Sequence, residues 1–137
     1  MTKKNVYKLK LAPEMLSFTV VGISSHENDY RLAWNLNESL GLKLAQTDHL
    51  IPKTGGAFTR FVHRDAEKTV WLISNRRDNG YLLKTYKNFD FILKFEKKLD
   101  EEDLLLWLQA LKKVTLVSAV VQIPLNKEIL LSLATEN

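Results

Sequence analysis

The chain has 137 residues, 45% of them hydrophobic and 26% charged, the balance of a soluble globular protein forming one α+β domain over 1–137. It contains no cysteine, which removes disulfides, thiolate zinc sites, iron–sulfur ligation and thiol catalysis. A net charge of +4 is too mild to imply nucleic-acid binding by itself. No run of about 18 apolar residues exists, so no transmembrane helix and no membrane partner are expected. The start of the chain has no signal-peptide pattern, and cytoplasm is the expected location.

Val6 to Leu11 alternates, with Tyr7, Leu9 and Leu11 on one side and Lys8 and Lys10 on the other, as a half-buried strand does. Ala12-Pro13-Glu14 breaks it. Phe18 to Ile23 is β-branched and mostly apolar and reads as a more central strand. Ser24 to Asp29 is a polar connector rich in helix-capping types. From Tyr30 to Leu40 the period becomes helical: Leu32, Ala33, Leu36 and Leu40 share a face, and Gly41 ends it. Leu42 to Gly56 has no single pattern: Leu42 and Leu44 suit a strand, Pro52 and Gly55-Gly56 a loop.

Phe58 to His63 and Thr69 to Ser74 read as strands joined by the polar turn Arg64 to Lys68. Asn75 to Gly80 is a strong turn signal, and Tyr81 to Leu83 a short extended piece. Phe89 to Glu96 is the cleanest strand. Phe89, Phe91, Leu93 and Phe95 face one way, Asp90, Lys94 and Glu96 the other, and Ile92 is the exception on the polar side. Asp100 caps a second helix whose acidic first turn suits the helix dipole, with Leu104, Trp107, Leu108 and Leu111 as its core stripe. Val114 to Ile123 is almost wholly apolar and is predicted to be the most buried strand, closed by Pro124. Leu125 to Leu133 suits a short terminal helix. The expected architecture is a two-layer sandwich: a mostly antiparallel sheet of about five to six strands with two main helices on one face. It is loosely ferredoxin-like, with extra strands.

The chemistry is sparse. His26, His49 and His63 lie in different elements without metal-ligand spacing, so no metal is predicted. Gly55-Gly56 matches neither phosphate-binding glycine pattern, and Ser24-Ser25-His26 does not complete a nucleophile elbow. No catalytic residue and no cofactor is assigned, and the chain reads as a binding protein rather than an enzyme. One stretch crowds specific side chains together: Ser25, His26, Asp29, Tyr30, Arg31, Trp34 and Asn37. Tyr30, Trp34 and Asn37, spaced i, i+4, i+7, share a face beside the core stripe, as a partner or ligand surface does. The plainer reading, and the favoured one, packs Trp34 under the loop that follows and lets Arg31 reach solvent. A second, basic set is Arg60, Arg64, Arg76, Arg77 and Lys84, interleaved with Tyr81 and Tyr86 in the manner of a single-strand nucleic-acid surface.

The segment from Gly22 to Asn37 also resembles the opening motif of the IPExxxVDY family, small bacterial proteins of about this length. The similarity extends to Leu72-Ile73-Ser74-Asn75 and to Leu99-Asp100-Glu101-Glu102-Asp103-Leu104. The naming motif falls on Leu83 to Phe91, and the chain departs from it. Lys84 stands for Pro, Thr85 for Glu, Phe89 for Val and Phe91 for Tyr, and only Asp90 is kept. The resemblance implies no activity, cofactor or catalytic residue. The expected function is non-catalytic protein interaction, with another protein or with a second copy of the chain. The alternative is a small ligand or nucleic acid, at the Ser25–Arg31 junction or on the basic face.

Overall fold

The computed structural model describes residues 18–53, 55–78 and 80–133. The expected strand over Val6–Leu11 lies outside them. Within them the chain order is β1 (Thr19–Ser24), α1 (Asp29–Leu40), β2 (Ala45–Leu50), β3 (Phe58–Arg64), β4 (Thr69–Ser74), a small hairpin β5 (Arg76–Arg77) and β6 (Gly80–Tyr81), a 3-10 turn (Lys84–Tyr86), β7 (Phe91–Phe95), α2 (Glu101–Lys112), β8 (Ala119–Ile123) and α3 (Lys127–Leu133).

Six strands form one sheet in the order β2-β3-β4-β7-β1-β8, and every neighbouring pair is antiparallel. Read as β1-α1-β4-β7-α2-β8, this is the ferredoxin-like βαββαβ order, with β2 and β3 inserted after α1 to extend the sheet. β1 and β7 run in opposite directions, and their helical crossovers lead opposite ways across the sheet. Two right-handed crossovers of that kind put both helices on the same face. One core cluster accordingly joins Leu32, Ala33 and Leu36 of α1, Leu111 of α2 and Val21, Leu72, Leu93 and Val120 of the sheet.

Local signals fix the helix ends. The Asn28 side chain accepts the Arg31 N–H at the start of α1, and Gly41, at φ 70°, closes it. Asp100 accepts the Asp103 N–H at the start of α2. The uncertain stretch after α1 resolves as strand β2, tied to the helix by Asn37, whose side chain both donates to the Leu44 carbonyl and accepts its N–H.

Two expectations about burial are corrected. β8 is not the most buried strand but an edge. Its apolar run divides between the two faces, and Val114 to Ser118 is used in turns where Val114 and Val117 pack on the core. The central place belongs to β7, all five residues of which are buried. The other face of β7 is not solvated, because α3 and residues 82–89 cover it. Ile92 joins Val20, Ile73, Leu82, Leu83, Ile123 and Ile129 in a second core there. This accounts for Ile92 on what the sequence presents as a polar side.

Gly22 in β1 is required by that second layer, since a Cβ on it meets Phe89 Cγ at 2.8 Å and Ile123 Cδ1 at 3.0 Å. Gly22→Ala is expected to cost about 1–3 kcal/mol through overpacking. Leu111→Ala, at a fully buried position, is expected to cost about 2–5 kcal/mol, and Leu106→Ala on the exposed side of the same helix no more than about 0.5 kcal/mol. Urea unfolding of the three variants checks all of these.

Candidate functional site

The C-terminal ends of β1 and β4, the start of β3 and β7 and the N-terminus of α1 meet at one end of the sheet. The β5–β6 hairpin stands beside them. Together they enclose an open cleft of about 580 Å³. Its polar floor is a chain of three side chains. Thr59 Oγ1 donates to Asp29 Oδ2 at 2.6 Å and lies 2.6 Å from Ser74 Oγ. Because the Thr59 hydroxyl hydrogen is directed at Asp29, Ser74 is the donor to Thr59. Across the cleft Arg76 pairs with Asp90 at 2.7 Å, and Asp90 also accepts the Ser25 N–H at 3.0 Å. Glu27 and Asp78 add two carboxylates and Arg77 a second guanidinium to the lining. The charge of the lining is mixed, with Asp29, Glu27, Asp78 and Asp90 against Arg76 and Arg77.

The residues singled out in the sequence separate here. Asp29 lines the cleft and Ser25 braces it: Ser25 is buried, its N–H goes to Asp90 and its Oγ accepts the Glu27 N–H. His26 and Arg31 are exposed and do not line it, and Arg31 is occupied with Glu27 at 3.2 Å. Asn37 holds the α1–β2 connection. Tyr30 and Trp34 lie on the outer side of α1, each 64% exposed, so the expected packing of Trp34 under the following loop does not occur. Core positions Leu32, Ala33 and Leu36 already fill the side that faces the sheet.

The basic set also divides. Arg60 and Arg64 lie over the Trp71 ring at 4.6 and 5.1 Å, on the side of the sheet away from α1 and α2. Burial lowers the Arg60 pKa, and its Nε donates to the Asp48 carbonyl. Arg76 lines the cleft, Lys84 lines a second cavity behind it, and Arg77 lines both. Among the described residues no group of three or more His, Asp or Glu is placed to hold a metal ion.

Thr59, Ser74 and Asn75 carry no motif, and the alternating strand pattern hides the first two. Asn75 reads as a turn residue, yet it is wholly buried. It donates to the Tyr86 and Phe89 carbonyls and accepts the Leu83 N–H. No protein-family model matches the chain, and no curated protein matches it. The family resemblance therefore rests on its residues alone. Ser25 at the β1–α1 junction and Arg76 just after β4 meet on Asp90, next to the start of β7, at this end of the sheet.

At the opposite end, His63 Nδ1 accepts the Lys43 N–H, which leaves Nε2 as the donor to Asp65 at 2.7 Å. The His63 contact, with the Glu67 and Lys68 N–H groups, holds the Asp65 carboxyl far below the usual carboxylate range. A folded-state pKa below the unfolded one gives stability that is fully present above the unfolded value, about 3.9, and is lost progressively as pH falls from there through the folded-state value. The stability advantage of the native chain over Asp65→Asn is thus expected to shrink between about pH 5 and about pH 3. Urea midpoints of both proteins across that range measure it.

Proposed function

We propose that this chain is a non-catalytic interaction domain that pairs with a second copy of itself along the outer edge of β8. The observation that carries this reading is the character of that edge. β8 reads Ala-Val-Val-Gln-Ile, with no charge, and keeps continuous register with β1 over five residue pairs. Among the described residues its outer side has no strand partner. Such an edge is a template for another strand. The other edge is blunted: β2 carries Asp48 and its register with β3 shifts between Thr47 and Leu50.

Apolar surface flanks the β8 edge on both sides. α2 packs on β8 and exposes Leu105 and Leu106, while Val121 is 48% exposed on the strand itself. A twofold axis beside β8 brings the same residues of two copies together and joins two six-stranded sheets into one, an isologous contact that pairs the outer backbone groups of the two β8 strands.

Size-exclusion chromatography with light scattering over a range of concentrations tests it. A dimer is expected. Val121→Lys, which sets two ammonium groups close to the axis, is expected to raise the dissociation constant at least about tenfold with an unchanged far-ultraviolet circular dichroism spectrum. Trp34→Ala is expected to leave the dimer intact. A monomeric native chain, or a dimer that responds to Trp34→Ala and not to Val121→Lys, overturns the proposal.

A further inference from the structure

The cavity of about 300 Å³ behind the cleft lies between the β5–β6 hairpin, the 3-10 turn and α3. We infer that it is a binding site for a small organic anion: an aromatic or short acyl body bearing one carboxylate. Phe58, Tyr81 and Leu82 supply apolar walls, while Arg77 and Lys84 supply positive charge. Neither cation has a carboxylate within ion-pairing distance among the described residues, unlike Arg76, Arg31 and Lys94, which are each paired. The carboxylate on the lining, Glu128, is directed instead at the Thr85 N–H. The cavity thus keeps an excess of positive charge beside an apolar wall, the pattern that selects an amphipathic anion over a bare one.

Arg77 is set in place before any ligand arrives. Its guanidinium carbon lies 5.6 Å from the Phe58 ring centroid. The side chain also lies against Gly56, where an added Cβ would meet Arg77 Nε at 2.6 Å. A guanidinium held by a ring and by backbone loses little freedom on binding a carboxylate, and its planar fork matches the two oxygens. The size of the cavity, at the lower limit for a ligand pocket, restricts the body to a single ring or a short chain. This site is separate from the β8 edge, so it stands or falls independently of self-association.

Benzoate is the probe. Amide chemical shifts of the ¹⁵N-labelled full chain are followed during titration with benzoate, with its neutral analogue benzyl alcohol and with inorganic phosphate. Saturable shifts at Gly80, Tyr81 and Leu82 with benzoate are expected, with benzyl alcohol and phosphate each at least about tenfold weaker. Arg77→Gln is expected to weaken benzoate about tenfold and Lys84→Gln to weaken it less, both with an unchanged unfolding midpoint. Absence of saturable benzoate shifts at those amides overturns the inference. So does benzyl alcohol binding as tightly as benzoate, which removes the anion, or phosphate doing so, which removes the apolar body. Unchanged benzoate affinity in both variants places the ligand elsewhere and likewise overturns it.

Discussion

Asn75 spends every hydrogen-bonding group it has on one segment of chain, and the end of the sheet is organised by that expenditure. Its backbone N–H goes to the Asp90 carbonyl and its own carbonyl accepts the Leu82 N–H. Its side chain takes the Leu83 N–H and donates to the Tyr86 and Phe89 carbonyls. Residues 82–90 are not in regular structure along most of their length, so their polar groups have no ladder to satisfy them. Without the amide, several are left buried and unpaired at about 1–3 kcal/mol each. With it, Phe89 is pressed onto Gly22, Leu82 and Leu83 enter the second core, and Asp90 is aimed at Ser25 and Arg76. Both cavities at this end of the molecule are lined in part by what Asn75 holds in place.

The second core explains an otherwise costly group. Lys94 lies on the covered side of β7 and is buried. Burial lowers its pKa, and the neighbouring Glu96 carboxylate, 3.2 Å away, opposes that shift. Its Nζ donates to the Leu133 carbonyl at 2.7 Å and lies 4.8 Å from the Phe18 ring centroid. The carbonyl end of a helix carries partial negative charge. The ammonium therefore meets a carboxylate, a helix terminus and a ring face, and the last turn of α3 is anchored to the centre of the sheet. Glu96 is shared, since it also accepts the Trp71 indole N–H at 2.7 Å.

What the sequence made legible follows from which signals are local. Caps at Asn28 and Asp100 and the stop at Gly41 involve neighbours in sequence, and they fix both main helices. The hairpin of β3 and β4 is equally local, its turn held by Asp65. The two crossovers then follow from chirality, which is why a ferredoxin-like frame was readable. Burial was less so. A run such as Val114 to Ile123 looks the same whether one strand is covered on both faces or an edge strand divides its residues between two cores. Ile92 and Lys94 reported a covered second face, but only one of the two was apolar. Of the cleft, the α1 start was visible as a cluster of polar types. Its partners Thr59, Ser74 and Asp90 come from strands whose pairing register decides what they meet.

Basic residues interleaved with aromatic ones suggest a stacking surface for single strands, because in sequence a cation near a ring and a cation beside a free ring look alike. In the fold several rings carry a cation over them, while Tyr86 packs against the second core. Arg60 and Arg64 flank Trp71, Lys87 lies over Tyr81, and Arg77 lies over Phe58. A base stacking on Trp71 would have to displace two guanidinium groups, one of which also donates to the Asp48 carbonyl. The contacts fix where the cations sit without neutralising them, since a ring supplies a quadrupole and no charge. Positive charge is therefore held at defined points rather than spread along a face. Where such a point opens on a small cavity with one apolar wall, as at Arg77, the proposed ligand is one small anion rather than a polyanion, which gains its affinity from many phosphates contacted in series.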